Sequence, residues 1–235
     1  MGALIQLPQR STLLSFPRAA QSARSLVAAA LKHHRLPELL TDNLLRDIGS
    51  GDNPEALLGA ALARRIRTRP IDFQKARGIL LLGPMGGGKS AVAAKIIHIA
   101  ALIGRKAEYA GATDGLALFR TGTFNSDALM VMEAPGFNPV NRRAISAFAA
   151  LGDAEGVESI GVISAASDAE DAAEVVAALR LKRVIVTGLD RTARLGATVA
   201  ASTGHAALAH VTYGPRADDV LDMLAPELLA KMLLD

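Results

Sequence analysis

The segment "LLLGPMGGGKSA", residues 80–91, constrains this chain more than any other stretch. An apolar run breaks into glycines and closes on Lys89, Ser90 and Ala91, so that Gly83, Gly88, Lys89 and Ser90 complete the pattern G-x-x-x-x-G-K-S/T. Each part has a physical reason. Glycines let backbone N–H groups wrap a phosphate without Cβ clashes, and a helix N-terminus directly behind them adds a favourable dipole. The lysine reaches the outer phosphates, and the hydroxyl after it can ligate Mg²⁺. The pattern carries this chemistry only between a strand and a helix. A β-rich run precedes it here and a helical run follows, so a parallel α/β sheet is expected around it.

A parallel sheet covered by helices needs strands that are apolar on both faces. Half of the 235 residues are hydrophobic, yet only 3% are aromatic and there is no Trp, so Ala, Leu, Val and Ile must fill the core. Strands are predicted at "GILLLG", "AEYAGA", "ALMVME", "ESIGVIS", "RVIVTG" and "ALAHVTY". Helices are predicted between them at about residues 88–104, 139–151, 167–180 and 191–203, with a closing helix from Asp218 to Leu234. Ahead of the sheet, "ARSLVAAALKHHRL", "PELLTDNLLRDI" and "NPEALLGAALARRIRT" carry three-to-four spacing, with Pro37 and Pro54 at early helical positions and Pro70 ending the run. Three parts are therefore expected: a flexible lead-in over 1–18, a helical domain over 19–75, and a phosphate-loop domain over 76–235 that includes the closing helix. The prolines at Pro8 and Pro17 interrupt the N-terminal stretch, which does not read as a signal peptide, and no run approaches the ~20 apolar residues of a membrane span. The absence of Cys excludes disulfides and thiolate metal sites and fits the cytoplasm. A formal charge of +3 is too mild to argue for nucleic acid.

These segments together resemble the signal-recognition-particle-type GTPase family, in which a helical N bundle precedes a Ras-like G domain. "GPMGGGKSAVAAK" is similar to that family's phosphate loop followed by its Ala-Lys pair, here Ala94 and Lys95. "VTGLD" resembles its guanine-reading T-K-x-D segment, "RLGAT" its Gly-rich closing loop, and "HVTYGPRADDVLDMLAPELLAKML" its tail. The likeness covers about residues 23 to 234 and is nearest to the flagellar branch, although the basic N-terminal extension of that branch is missing. The resemblance implies GTP and Mg²⁺ as cofactors. It implies Gly83, Met85, Gly86, Gly87, Gly88, Lys89, Ser90, Ala91, Thr187, Asp190 and Gly196 as nucleotide-binding residues, Ser90, Asp114 and Glu133 as the metal shell, and Asp114, Glu133 and Gly136 as the catalytic set. It also implies a nucleotide-dependent switch in protein targeting to the membrane or in flagellar biogenesis. The implied partners are a second copy or another family member, and the implied location is the cytoplasm, with peripheral contact at the inner face of the membrane.

Chemistry supports guanine independently at Asp190, whose carboxylate can accept from both N1–H and the N2 amino group, whereas adenine would face it with an acceptor. Asp190 could equally be the N-cap of the next helix. Several positions depart from the family. Gly188 stands where a lysine stem would lie along the base. Three residues after Asp114 comes Ala117 instead of Arg, with Arg120 a poorly aligned substitute. After the third strand, "EAPGF" replaces D-T-A-G-R, so Glu133 keeps the charge on a longer stem and Phe137 takes the place of the arginine. An arginine there is commonly worth ~10³–10⁵ in rate, so slow hydrolysis is expected unless Arg120, Arg191, Arg194 or a partner supplies one. The stretch from Asp114 to Glu133 has room for a turn and one strand, where the family inserts a further β-α-β element. Gly136 reads as either an ordinary strand-end turn or part of the site. Three functions stay open on the sequence: a GTPase with a degraded catalytic set, a non-hydrolysing nucleotide-binding scaffold, and a P-loop ATPase or kinase.

Other features carry less. The five histidines make no metal-ligand spacing. "ARRIRTR", residues 63–69, is read as a basic helix end that is either solvated or in contact with anionic lipid or an acidic partner. Without interleaved aromatics it argues against sequence-specific nucleic-acid binding.

Overall fold

The apolar runs of the sequence become six parallel strands in the computed structural model, which describes residues 22–125, 127–151 and 155–235. The lead-in expected over 1–18 lies outside the described residues. Three helices come first: α1 (Ala23–His33), α2 (Glu38–Asp47) and α3 (Pro54–Ala63). Ser22 caps α1 by accepting from Ser25 N–H, and Asn53 caps α3 by accepting from Ala56 N–H with Pro54 at the first turn, the side-chain caps that orphan N–H groups require. Then follow β1 (Gly78–Leu82), α4 (Lys89–Leu102), β2 (Ala107–Gly111), α5 (Ala112–Thr121), β3 (Leu129–Glu133), α6 (Arg142–Leu151), β4 (Val157–Ser164), α7 (Ala169–Ala178), β5 (Arg183–Thr187), α8 (Gly196–Ser202), β6 (Ala207–Val211) and α9 (Pro226–Leu234).

The sheet order is β2-β3-β1-β4-β5-β6, and every pairing is parallel. Alternation along β1 splits its side chains between two cores. Ile79 and Leu81 pack with Val92, Ile96 and Ala100 of α4, while Leu80 and Leu82 join the larger core shared with α5, α7 and α8. That larger core continues into Val27, Leu31, Leu44, Leu58 and Leu62 of α1–α3 and into Leu229 and Leu233 of α9. Helices α3 and α9 pack together at Gly59, where a Cβ would stand 3.5 Å from Glu227 Cα, an ordinary van der Waals contact.

All six predicted strands are present, but several helical expectations need correction. The stretch after Asp114 is a helix, α5, where only a turn was expected. Ala112, Gly115 and Leu116 are buried and Phe119 packs on the core, a helical spacing, and Gly115 is needed because a Cβ would stand 2.7 Å from Met132 Sδ. The helix expected over 191–203 is a 3-10 turn at Leu189–Arg191 followed by α8, with Thr192 extended between them. The closing helix begins at Pro226 instead of Asp218, because Asp222 exchanges backbone hydrogen bonds with Val211 of β6. The basic run leaves the helix after Ala63, and Thr68 bridges Leu208 so that residues 67–69 run parallel beside β6.

His34, at the end of α1, ties three parts together. Its Nδ1 accepts from Leu195 N–H at 3.1 Å, which leaves Nε2 as the donor to the Leu233 carbonyl at 3.0 Å. Burial lowers its pKa below the ordinary 6.5, as burial also does for His210, whose Nε2 accepts from Ile71 N–H. Both rings therefore take up a proton less readily in the folded chain than in the unfolded chain, which protonates below about pH 6.5. The unfolded state then binds more protons, so stability present above that pH is lost as the pH falls. Urea midpoints are expected to drop between pH 7 and pH 5, and the drop should be shallower in His34→Asn. An unchanged slope in that variant would contradict the assignment.

Candidate nucleotide site

Strand β1 sits where the chain order reverses, with β2 and β3 on one side and β4 to β6 on the other. Open parallel sheets take ligands above the carboxyl ends of their strands at such a point, and the phosphate loop leaves β1 there. Its shape depends on glycines used in different ways. Gly86 and Gly88 have φ of +74° and +88°, the left-handed region, and Gly88 caps α4. Gly83 and Gly87 are needed for space. A Cβ on Gly83 would overlap the Val162 carbonyl oxygen of β4, and one on Gly87 would stand 2.8 Å from the same atom.

Lys89 is buried, and its Nζ donates to the carbonyls of Gly83 and Pro84 at 3.1 Å each. Burial lowers its pKa below the ordinary lysine value, and Glu133 opposes that shift. On the other side of the loop, Ser90 Oγ donates to Glu133 Oε1 at 2.8 Å, joining the first turn of α4 to the end of β3. Hard oxygen donors in this arrangement suit Mg²⁺. Tyr109 Oη donates to the other carboxylate oxygen, Oε2, at 2.9 Å. Partial burial, followed by the Glu133 carboxylate, holds the Tyr109 hydroxyl protonated above its ordinary range.

Gly136 lies against the phosphate loop. The segment after β3 lies against the phosphate loop: Pro84 bridges Phe137, and Met85 N–H donates to the Phe137 carbonyl at 3.1 Å. A Cβ on Gly136 would stand 2.8 Å from Met85 Cα. Thr187 also serves the loop. Its buried hydroxyl donates to the Gly87 carbonyl at 2.8 Å, so it braces the loop from behind. Lys95, fully buried on α4, donates to the carbonyls of Arg216 and Asp219 and to the Asp219 carboxylate, pinning the chain after β6 to the loop's helix.

The remaining sequence-predicted residues fall in several places. Ala91 is half-buried in the first turn of α4, and Met85 is exposed at the loop tip. Asp190 is exposed in the 3-10 turn after β5. It is not the N-cap of α8, a position held by Leu195, and its carboxylate accepts no hydrogen bond among the described residues. Gly196 is buried, and a Cβ there would stand 2.9 Å from the Arg35 carbonyl oxygen, so this glycine lets the closing loop pack on the end of α1. Asp114 is exposed in the first turn of α5, near the strand end because Gly111 pairs with Glu133, but it has no hydrogen-bond partner among the described residues.

The position where the resemblance leads one to expect an arginine holds no cation, for a structural reason. Phe137 is buried and stacks on Phe148 with ring centroids 5.3 Å apart, so its position is part of the core. Arg120 cannot substitute. It follows Phe119, whose Cζ lies 2.6 Å from where a Cβ on Gly78 would be, at the far end of β1 from the loop. At about 3.3 Å per residue, the strand separates them by roughly 16 Å. The basic run is also largely engaged. Arg65 pairs with Asp47 at 2.6 Å, Arg64 donates to the Asp47 carbonyl and Arg67 to the His205 carbonyl. A cavity of about 660 Å³ opens between α6 and α7 beside Ser159 and Lys182, with Leu82 of β1 in its wall. The tip of the phosphate loop, Met85 and Gly86, is exposed to solvent.

No family model matches the chain, and no curated protein matches it in sequence. Solved structures do match. FlhF complexed with GTP/Mg²⁺ superposes with a TM-score of 0.71 at 19% identity, covering 91% of this chain and 100% of that one. Cell division protein FtsY of Thermotoga maritima gives 0.70 at 16% identity over 90% and 88% of the two chains. Signal recognition particle receptor FtsY of Elizabethkingia anophelis, in complex with GDP, gives 0.70 at 14% identity over 89% and 84%. The chain has the fold of FlhF and FtsY. The FlhF chain is spanned completely, and 91% of this chain is covered, which extends the likeness beyond the phosphate loop to the flanking helices. At these identities the likeness establishes the α/β architecture, and the site must be argued from its own residues. No helix among the described residues is long and apolar enough to cross a membrane.

Proposed function

We propose that this chain is a Mg²⁺-dependent GTP-binding protein of the signal-recognition-particle type, a nucleotide-controlled switch that hydrolyses GTP slowly unless Arg191, Arg194 or a partner supplies an arginine. The observation that carries the reading is the loop itself. It is a complete phosphate cradle, with Lys89 held at its rim and Ser90 bonded to the Glu133 carboxylate. In this reading the glycines and Lys89 hold the phosphates, with Met85 and Ala91 at the loop's tip and exit. Ser90 and Glu133 hold Mg²⁺, with Asp114 at the adjoining strand end, and Asp190 reads the base. Bound Mg²⁺ would neutralise charge on the outer phosphates. The FlhF and FtsY likeness favours GTP over ATP and supports a division into a helical domain over 19–75 and a G domain over 76–235. It also favours a role in membrane protein targeting or flagellar biogenesis in the cytoplasm, through pairing with a second such GTPase.

Slow hydrolysis rests on Phe137 and Arg120. Phe137 is committed to the core and Arg120 to the opposite end of β1, so neither brings a cation to the outermost phosphate. A scaffold that binds GTP without cleaving it is the second reading favoured by the same two residues. Asp190 gives the test of base recognition. In Asp190→Asn the new amide donor meets the N2 amino group of guanine but suits the C2 carbonyl of xanthine. GTP affinity is expected to fall by about 10- to 100-fold, for loss of a charged hydrogen-bond pair, while affinity for xanthosine triphosphate rises. Equal GTP affinity in the variant and the parent would remove Asp190 from the site.

A further inference from the structure

Glu133 poses a problem of precision. A glutamate side chain has one more rotatable bond than an aspartate, and a carboxylate left free on it would sample many positions at the mouth of the loop. In this chain it is held from two sides. Ser90 Oγ donates to Oε1 at 2.8 Å and Tyr109 Oη donates to Oε2 at 2.9 Å, so three packed elements, α4, β2 and β3, fix the group. The sheet register explains how Tyr109 reaches it. Tyr109 pairs with Val131 and Gly111 pairs with Glu133, so Tyr109 and Glu133 are diagonal neighbours on one face, within reach of a long aromatic side chain. Tyr109 is 56% exposed and lies on the edge strand β2, so core packing does not account for its position.

We propose that Tyr109 is a positioning residue for the cation end of this site, holding the Glu133 carboxylate where it can serve Mg²⁺ beside Ser90. The inference rests on the Mg²⁺-dependent reading above. Ser90 and Tyr109 divide the work: the serine hydroxyl offers its lone pairs toward the ion while its hydrogen remains on Oε1, and the tyrosine hydroxyl keeps Oε2 from turning away. A tyrosine–glutamate pair thus sets in place a carboxylate whose longer stem would otherwise leave it loose.

The test uses Tyr109→Phe, which keeps the ring and its strand preference and removes only the hydroxyl. Equilibrium binding of GTP is measured in EDTA and across a Mg²⁺ titration, for the parent, Tyr109→Phe, Glu133→Gln and the double variant. Tyr109→Phe is expected to raise the Mg²⁺ concentration at half-maximal effect about 5- to 10-fold, the size of one net hydrogen bond at a half-exposed site, with affinity in EDTA unchanged. In the Glu133→Gln background the same change should have no further effect, because there is no carboxylate left to position. An unchanged Mg²⁺ midpoint, an equal loss in EDTA and in Mg²⁺, or full additivity in the double variant would each overturn the role of Tyr109. Indifference of the parent itself to Mg²⁺ would overturn the metal reading and the role of Tyr109 together, which distinguishes that failure from the others.

Discussion

Lys89→Ala is expected to weaken GTP binding by about 100-fold or more while leaving the chain folded. The side chain is buried at the loop rim, where its Nζ spans the carbonyls of Gly83 and Pro84. Those two bonds keep the ammonium in place in the free protein, and phosphate oxygens would replace them as stronger, charged acceptors. Losing charge-assisted bonds of about 1.5–3 kcal/mol each corresponds to a loss on this scale. Of the two carbonyls left behind, that of Gly83 is buried and that of Pro84 half-buried, and water entering the space vacated by the side chain can satisfy them, so the effect on folding should be small. Equilibrium binding measured beside a denaturation curve checks both halves. A loss below about threefold would mean that the loop does not grip phosphate through Lys89.

The second large effect is expected at Gly83. A Cβ there would overlap the Val162 carbonyl oxygen, and that carbonyl belongs to β4, which is held on both sides in the middle of the sheet. Neither strand can give way cheaply, so Gly83→Ala should destabilise the chain by about 1–3 kcal/mol, as overpacking does, and displace the loop enough to abolish GTP binding. Gly86→Ala is the control. Nothing lies within 4 Å of a Cβ there, and the φ of +74° predicts a penalty of about 1 kcal/mol from backbone strain alone. Urea denaturation and GTP binding on the two variants should separate them clearly. Equal effects at both positions would mean that the close approach of loop and β4 is not what demands glycine.

The sheet was legible in the sequence because its strands are apolar on both faces and its glycine loop has a fixed meaning between strand and helix. "GILLLG" and "RVIVTG" could hardly be anything but buried parallel strands. Helix α5 was missed although Ala112, Gly115, Leu116 and Phe119 carry helical spacing, because Thr113 and Gly115 weaken its propensity and only the contact with Met132 explains the glycine. The arginine run looked like one helix end because local spacing cannot show that Thr68 pairs with Leu208, a partner 140 positions along the chain. At the candidate site, the chemical types of Lys89, Ser90 and Glu133 single them out in the sequence, and the fold brings Ser90 and Glu133 into a hydrogen bond. Tyr109 was not, since its role exists only through the β2–β3 register. Thr187 was singled out as a nucleotide contact, yet its hydroxyl is turned to Gly87, a relation set by the crossing of β5 behind the loop.

The most direct measurement of the central claim is a titration of the purified chain with GTP and with ATP, each in Mg²⁺ and in EDTA, followed by a single-turnover assay on the bound triphosphate. Tighter binding of GTP than ATP, strengthened by Mg²⁺ and followed by very slow cleavage, is the result that the proposal predicts from Lys89, Ser90 and Asp190 as binding residues and from Phe137 in place of an arginine. Equal or tighter binding of ATP would contradict the reading of Asp190, and rapid cleavage by the isolated chain would contradict the consequence drawn from Phe137 and Arg120.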